Sequence, residues 1–138
     1  MQELARLFKA VSDESRLRIL NLLICSGELC VCDIERVLDA TQTKVSRHLK
    51  YLKRVGFVTD RRKGLWILYS IAAPLSNEHR LILSCVSRAA GSHSAGKEDL
   101  QQLTKDITSG CCTTFGTIMP AVIPSHLKIQ KLRKEDHV

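Results

Sequence analysis

The sequence predicts a mainly α fold with a two-stranded β wing, in the order α-α-α-α-β-β-α. Three observations predict it. Apolar residues recur at helical spacing through four successive segments before Val55, two strand-like runs follow around a polar turn, and positive charge is concentrated where the fourth helix meets that turn.

Leu4, Leu7, Phe8 and Val11 set the stripe of the first helix. Asp13 can cap a second, whose Leu17, Leu20, Leu23 and Ile24 form a similar stripe and which Gly27 ends. A short third helix is expected from about Cys30 to Leu38, with Val31, Ile34 and Leu38 inward, and Ala40-Thr41 separates it from a fourth, Gln42 to Val55. In the fourth helix Val45, Leu49 and Leu52 share one side, leaving Gln42, Thr43, Lys44, Ser46, Arg47, His48, Lys50, Lys53 and Arg54 mainly on the others. Gly56 can close that helix. Phe57-Val58-Thr59 and Leu65 to Tyr69 are expected as strands, joined by the basic turn Asp60-Arg61-Arg62-Lys63-Gly64. Pro74 can open a fifth helix reaching about Ala90. Gly91 to Gly96 has linker composition, Lys97 to Thr108 suits one more short helix, and no periodicity is evident from Gly110 onward. The expected organisation is therefore a folded unit over 1–90, then a linker, a short helix and a flexible cysteine-containing tail over 91–138.

A chain of 138 residues with 44% hydrophobic content supports one modest core and leaves little room for a large catalytic cleft. Its formal charge is +7, and the placement of that charge is the informative part. From Thr41 to Lys63, eight basic side chains face the single acid Asp60, so this segment carries the whole excess and the rest of the chain is neutral. A neutral body with one basic segment is the electrostatic footprint of a nucleic-acid binder, although a merely solvated charged face has the same composition. The N-terminal MQELARLFKAVSDES has no apolar core of a secretion signal and no apolar run reaches the length of a membrane span, so a cytoplasmic location is expected. In that reducing compartment the six cysteines are buried, reactive or metal-binding more often than paired.

A helix pair whose second member exposes Gln, Lys, Ser, Arg and His near its start suits the major groove. Gln and Arg can pair with base edges, while Lys and Ser hold phosphates. Gln42, Thr43, Lys44, Ser46, Arg47, His48 and Lys50 are the candidate DNA contacts, with Arg61, Arg62 and Lys63 of the wing beside them. A protein-binding helix is the competing interpretation. No nucleophile, base and orienting residue share a recognisable frame and no Gly-rich phosphate loop is present, so an enzyme is not expected.

The run from Gly27 to Ile71 resembles the core of the ArsR/SmtB family of metal-responsive repressors, most closely its arsenical-resistance members. Two motifs carry the resemblance: ELCVCD at the start of the third helix, and the Gln-x-x-x-Ser-Arg-His-Leu pattern from Gln42 to Leu49. It extends from about residue 3 to residue 90. The resemblance implies a winged helix-turn-helix repressor, homodimeric through its first and fifth helices, with two recognition helices in successive major grooves of a pseudo-palindromic double-stranded operator. It also implies release of that operator by a trivalent metalloid.

Cys30 and Cys32 are the candidate sensing residues. A helix N-terminus favours thiolate, and two thiolates make a soft site suited to As(III), Sb(III), cadmium or lead as inducer, with no permanently bound cofactor required. Residues two apart in an ideal helix point about 200° apart. On that expectation occupancy would unwind the first turn and so weaken DNA binding. The bland alternative is that one or both are small buried hydrophobes. Arsenite-responsive members carry a third cysteine where this chain has Glu35. Cys111 and Cys112 are candidate further donors, as third ligand, as a separate two-sulfur site for an organic arsenical, or as unligated tail thiols. Cys25 is expected in the core and Cys85 in the dimer contact. Asn77, His79 and His93 match the family's zinc spacing poorly. The rival functions are a cadmium- or lead-responsive repressor and a thiol-redox regulator of the same fold.

Overall fold

The computed structural model describes residues 1–110. The elements are α1 (Gln2–Val11), α2 (Glu14–Ser26), β1 (Glu28–Cys30), α3 (Val31–Leu38), α4 (Gln42–Arg54), β2 (Val58–Lys63), β3 (Trp66–Ile71), α5 (Asn77–Ala90) and α6 (Ser94–Thr108). The expected succession of helices and wing is present with a third strand added to it, and the further short helix expected over Lys97 to Thr108 is present and begins at Ser94.

Local chemistry explains the boundaries. The Asp13 carboxylate accepts from the Arg16 N–H at 3.0 Å and starts α2, and Gly27 at φ +86° ends it. Ile19, Leu20, Leu22 and Leu23 are essentially inaccessible, which makes α2 the central helix against which the others are laid. Asp39 turns the chain at φ +50°, and the Thr41 hydroxyl caps α4 by accepting from Lys44 N–H, so helix, three-residue turn and helix follow as expected. Val45, Leu49 and Leu52 face inward from α4.

Three expectations need correction. Glu28–Cys30 is a strand paired antiparallel with β3, giving a three-stranded sheet in the order β1-β3-β2. Arg61, Arg62 and Lys63 lie within strand β2, opposite Leu68, Ile67 and Trp66, and the hairpin tip is Gly64-Leu65. A two-residue turn with Gly64 at φ +61° suits the twist of the flanking strands, which is why the pairing runs on through the basic residues. The third correction concerns Gly91 to Gly96, where the chain turns within a few residues and is helical again from Ser94. Gly96 lies so close to the end of α5 that a Cβ there would run into the Ala90 carbonyl oxygen.

The sixth helix packs on α2, α3 and α5. Leu103 is wholly buried, and Arg18 of α2 donates through Nε and Nη2 to the two oxygens of Asp99, each at 2.8 Å. Asp99 keeps only 5% of its side-chain exposure, so Asp99→Ala is expected to cost about 2 kcal/mol, as a charged two-point contact is lost at a buried place. Urea unfolding checks this, with a loss under about 0.5 kcal/mol contradicting a packed α6. Among the described residues no helix is long and apolar enough to cross a membrane.

Candidate functional site

The outer side of α4 is open. Gln42, Thr43, Lys44, Arg47 and Lys50 are exposed and Ser46 is half-buried. Gln42, Thr43, Ser46, Arg47 and Lys50 border one shallow concavity whose wall is completed by Tyr51 and Arg54. Those last two were not among the sequence candidates, although Arg54 belongs to the basic face read there. The Arg54 guanidinium lies 4.9 Å from the centre of the Tyr51 ring.

His48 differs from its neighbours on α4. It is half-buried, and its Nδ1 lies 3.3 Å from Nη1 of Arg16, which can only donate. Burial pushes its pKa down; the Arg16, Arg47 and Lys44 charges act in the same direction and Asp13 opposes them. These effects favour the neutral ring, which meets Arg16 of α2 through Nδ1.

The wing residues also divide. Arg61 donates from Nε and Nη2 to Oε2 and Oε1 of Glu28 at 2.6 and 2.7 Å, a strap running over β3 from β2 to β1. The hydrogen-bonded guanidinium holds the Glu28 carboxyl below its usual range. Arg61 is thus paired within the protein, whereas Arg62 is exposed beside the tip and Lys63 stands opposite Trp66. Lys53 is occupied by Asp60 at 2.9 Å.

The thiol pair is closer together than the helical expectation allowed. Cys30 is the last residue of β1 and the N-cap of α3, with extended backbone at φ −82° and ψ 165°, while Cys32 lies in the first turn. The extended residue turns its side chain back over the helix start. The two sulfurs are joined as a disulfide, with the Cα atoms 5.4 Å apart. The opposed arrangement predicted from an ideal helix is therefore corrected, and no unwinding is needed for the two thiols to reach one centre. Asp33, fully buried, fastens the same turn: its Oδ2 accepts from Cys30 N–H at 3.2 Å and its Oδ1 from Arg36 Nη2 at 2.7 Å. Both sulfurs and a carboxylate oxygen of Asp33 fall within 4.8 Å of one another. In the reduced state this donor set offers two soft ligands, and a carboxylate already committed to Arg36 and a backbone amide; it fits a thiophilic centre and is poor for a hard cation.

Cys111 and Cys112 lie outside the described residues. Cys25 is in the core as expected, its thiol pushed up by burial, and Cys85 is exposed on α5 near the exposed Leu81. His79 has Nδ1 at 2.6 Å from Ser76 Oγ and Nε2 at 2.8 Å from the Val55 carbonyl oxygen, so both its nitrogens serve the junction of α4 and α5.

Residues 13–60 match the family model described as bacterial regulatory protein, arsR family. The chain is 48% identical over 67 residues to an arsenical resistance operon repressor of Escherichia coli K12, a match covering 49% of this chain and 57% of that protein. It is 38% identical over 77 residues to a cadmium resistance transcriptional regulatory protein CadC homolog of Staphylococcus aureus, covering 56% of this chain and 60% of that one. The shared stretch is thus little more than half the length of either relative. Among solved structures, the homodimeric winged helix-turn-helix DNA-binding domain of a possible ArsR-family transcriptional regulator from Mycobacterium bovis is 32% identical. It superposes with a TM-score of 0.55 over 67% of this chain and 82% of that one.

Proposed function

This chain belongs to the ArsR family of bacterial regulatory proteins, and from that premise we propose that it is a homodimeric operator-binding repressor released by trivalent arsenicals at Cys30 and Cys32. The observation that carries the proposal is the convergence of these two sulfurs at the junction of β1 and α3. Cys30 pairs across the sheet with Leu68, which in turn pairs with Arg61 of the wing strand, and α3 leads through a short turn into α4. A ligand that pulls on Cys30 or Cys32 acts at the meeting point of both DNA-facing elements.

Arsenous acid condenses with thiols, one water leaving for each As–S bond formed, and no electrons are transferred. The reduced pair supplies two such bonds. A third thiol, from Cys111 or Cys112, would replace the last hydroxyl, in keeping with Glu35 where a nearby cysteine is absent. Gln42, Thr43, Lys44, Ser46, Arg47, His48 and Lys50 are the proposed operator contacts, with Arg62 and Lys63 on the wing. Exposed Phe8 on α1 and Leu81 on α5 support these helices as the dimer contact.

The test is fluorescence anisotropy of the full reduced chain on its own upstream DNA, titrated with arsenite, methylarsenite, cadmium and zinc. Release by a trivalent arsenical is expected; indifference to all four overturns the inducer and leaves the DNA reader. Cys111→Ser/Cys112→Ser protein then decides the third donor: a weakened arsenite response supports the tail thiols, and an unchanged one removes them.

One observation favours a second reading. Cys30 and Cys32 are joined in the structure, and a pair that closes by passing two electrons and two protons to a peroxide senses oxidant with the same output. Operator release by peroxide, without any metalloid and reversed by a dithiol, would favour it.

The Glu28–Arg61 strap makes a separate prediction. Glu28→Gln removes the carboxylate that competes with phosphate for Arg61, so DNA binding should tighten and log K should fall more steeply with log salt, by about 0.9 for the one added phosphate contact. An unchanged slope means that Arg61 never meets the backbone.

A further inference from the structure

We propose that Arg16 is a positioning residue for DNA recognition: it fixes the tautomer of His48, so that the imidazole presents its Nε2–H to a phosphodiester oxygen of the operator backbone in the cleft between α2 and α4. The proposal rests on the DNA-binding reading of α4.

Arg16 ties three elements together. Its Nε donates to the Ala10 carbonyl oxygen of α1 at 2.6 Å, its Nη1 meets His48 Nδ1 on α4 at 3.3 Å, and its guanidinium lies 4.4 Å from the centre of the Tyr51 ring. A guanidinium has donors only, so Nδ1 must accept and the ring proton resides on Nε2. Without that contact the two neutral tautomers compete, and part of the useful donor population is lost.

Ser15, Arg16, Lys44, Arg47, His48 and Tyr51 line the cleft in question. Three cations, a hydroxyl and a neutral N–H around one concavity make a site for an anionic oxygen, and the DNA backbone is the anion that α4 would bring there. The facing acid, Asp13, is engaged as the cap of α2, where it accepts from the Arg16 N–H at 3.0 Å. Arg16 also joins the last turn of α1 to α4, so the setting of the recognition helix is tied to the helix proposed for dimer contact.

The experiment combines nitrogen NMR of the His48 ring with operator titrations of the full chain. Wild-type protein should show the Nε2–H tautomer, and Arg16→Met should show a mixture together with operator binding weakened by the inverse of the Nε2–H fraction that remains, about twofold for an even mixture. His48→Gln places an amide donor near the Nε2 position and should keep affinity within about threefold. In that background Arg16→Met should cost much less, since glutamine needs no tautomer selection. Persistence of the Nε2–H tautomer in Arg16→Met, or equal costs of Arg16→Met in both backgrounds, overturns the proposal. If Arg16→Met does not fold, His48→Asn carries the test: it keeps an acceptor near Nδ1 but lacks the outer donor, so it should bind about tenfold more weakly than His48→Gln. Equal affinities for those two overturn the proposal as well. Failure of the wild-type chain to bind its upstream DNA would instead sink the underlying reading.

Discussion

Cys30→Ser is expected to raise the arsenite concentration for half-release of the operator by about a hundredfold, because a second As–S bond formed within one tethered pair gains of order 10² over a single thiol. Operator affinity without arsenite should stay within about threefold of wild type. Cys30 is buried at the N-cap of α3, where its side chain already faces the backbone of Asp33 while Asp33 accepts from the Cys30 amide. Serine is a better cap than cysteine and nearly its size, so the first turn of α3 should persist. Cys32→Ser, half-buried one turn into the motif, should show the same loss of response. Two thiols acting as one chelate also predict that the double variant is scarcely worse than either single one. A Cys30→Ser protein that still releases at wild-type arsenite concentrations would move the sensing site elsewhere. Peroxide response lost together with arsenite response would say that both inputs share this pair.

Much of this site was legible in the sequence, because its signals are local. Capping by Asp13, the break at Ala40-Thr41, the inward stripe of Val45, Leu49 and Leu52, and the exposed basic face of α4 each follow from residues within one or two turns. What was not legible depends on partners distant in sequence. Glu28–Cys30 has too few residues to show alternation and becomes a strand only because β3 lies alongside it. Arg61 is drawn into an ion pair by Glu28, 33 residues away, and Arg16 reaches His48 across 32. The geometry of the cysteine pair failed for a different reason: moving the helix start by one residue turns Cys30 from a helical residue into an extended cap and brings opposed sulfurs together. The polar composition of Gly91 to Gly96 concealed a close approach that needs glycine for its missing Cβ.

Phe57→Ala is expected to cost about 3 to 5 kcal/mol, a large part of the 5 to 15 kcal/mol typical of such a domain. Phe57 has no exposed surface and is among the largest buried side chains of the core. Its amide donates to the Leu52 carbonyl oxygen and its own carbonyl accepts from Ala72 N–H, both at 3.0 Å, so its backbone ties the last turn of α4 to the segment that follows β3. Its ring meets His79 edge-on at 4.7 Å between centroids. Truncation therefore opens a cavity where the end of α4, the wing and the start of α5 converge. Phe57→Leu, which keeps most of the volume, should cost less than half as much. Urea midpoints at unchanged slope measure both. The functional consequence separates packing from charge. Non-specific DNA affinity depends on the basic side chains, all retained, whereas operator preference requires α4 and the wing to hold one relative setting. At a temperature where Phe57→Ala remains folded, its operator affinity should fall further than its affinity for random DNA. Equal losses on both would mean that this junction supports the fold without setting the reading geometry.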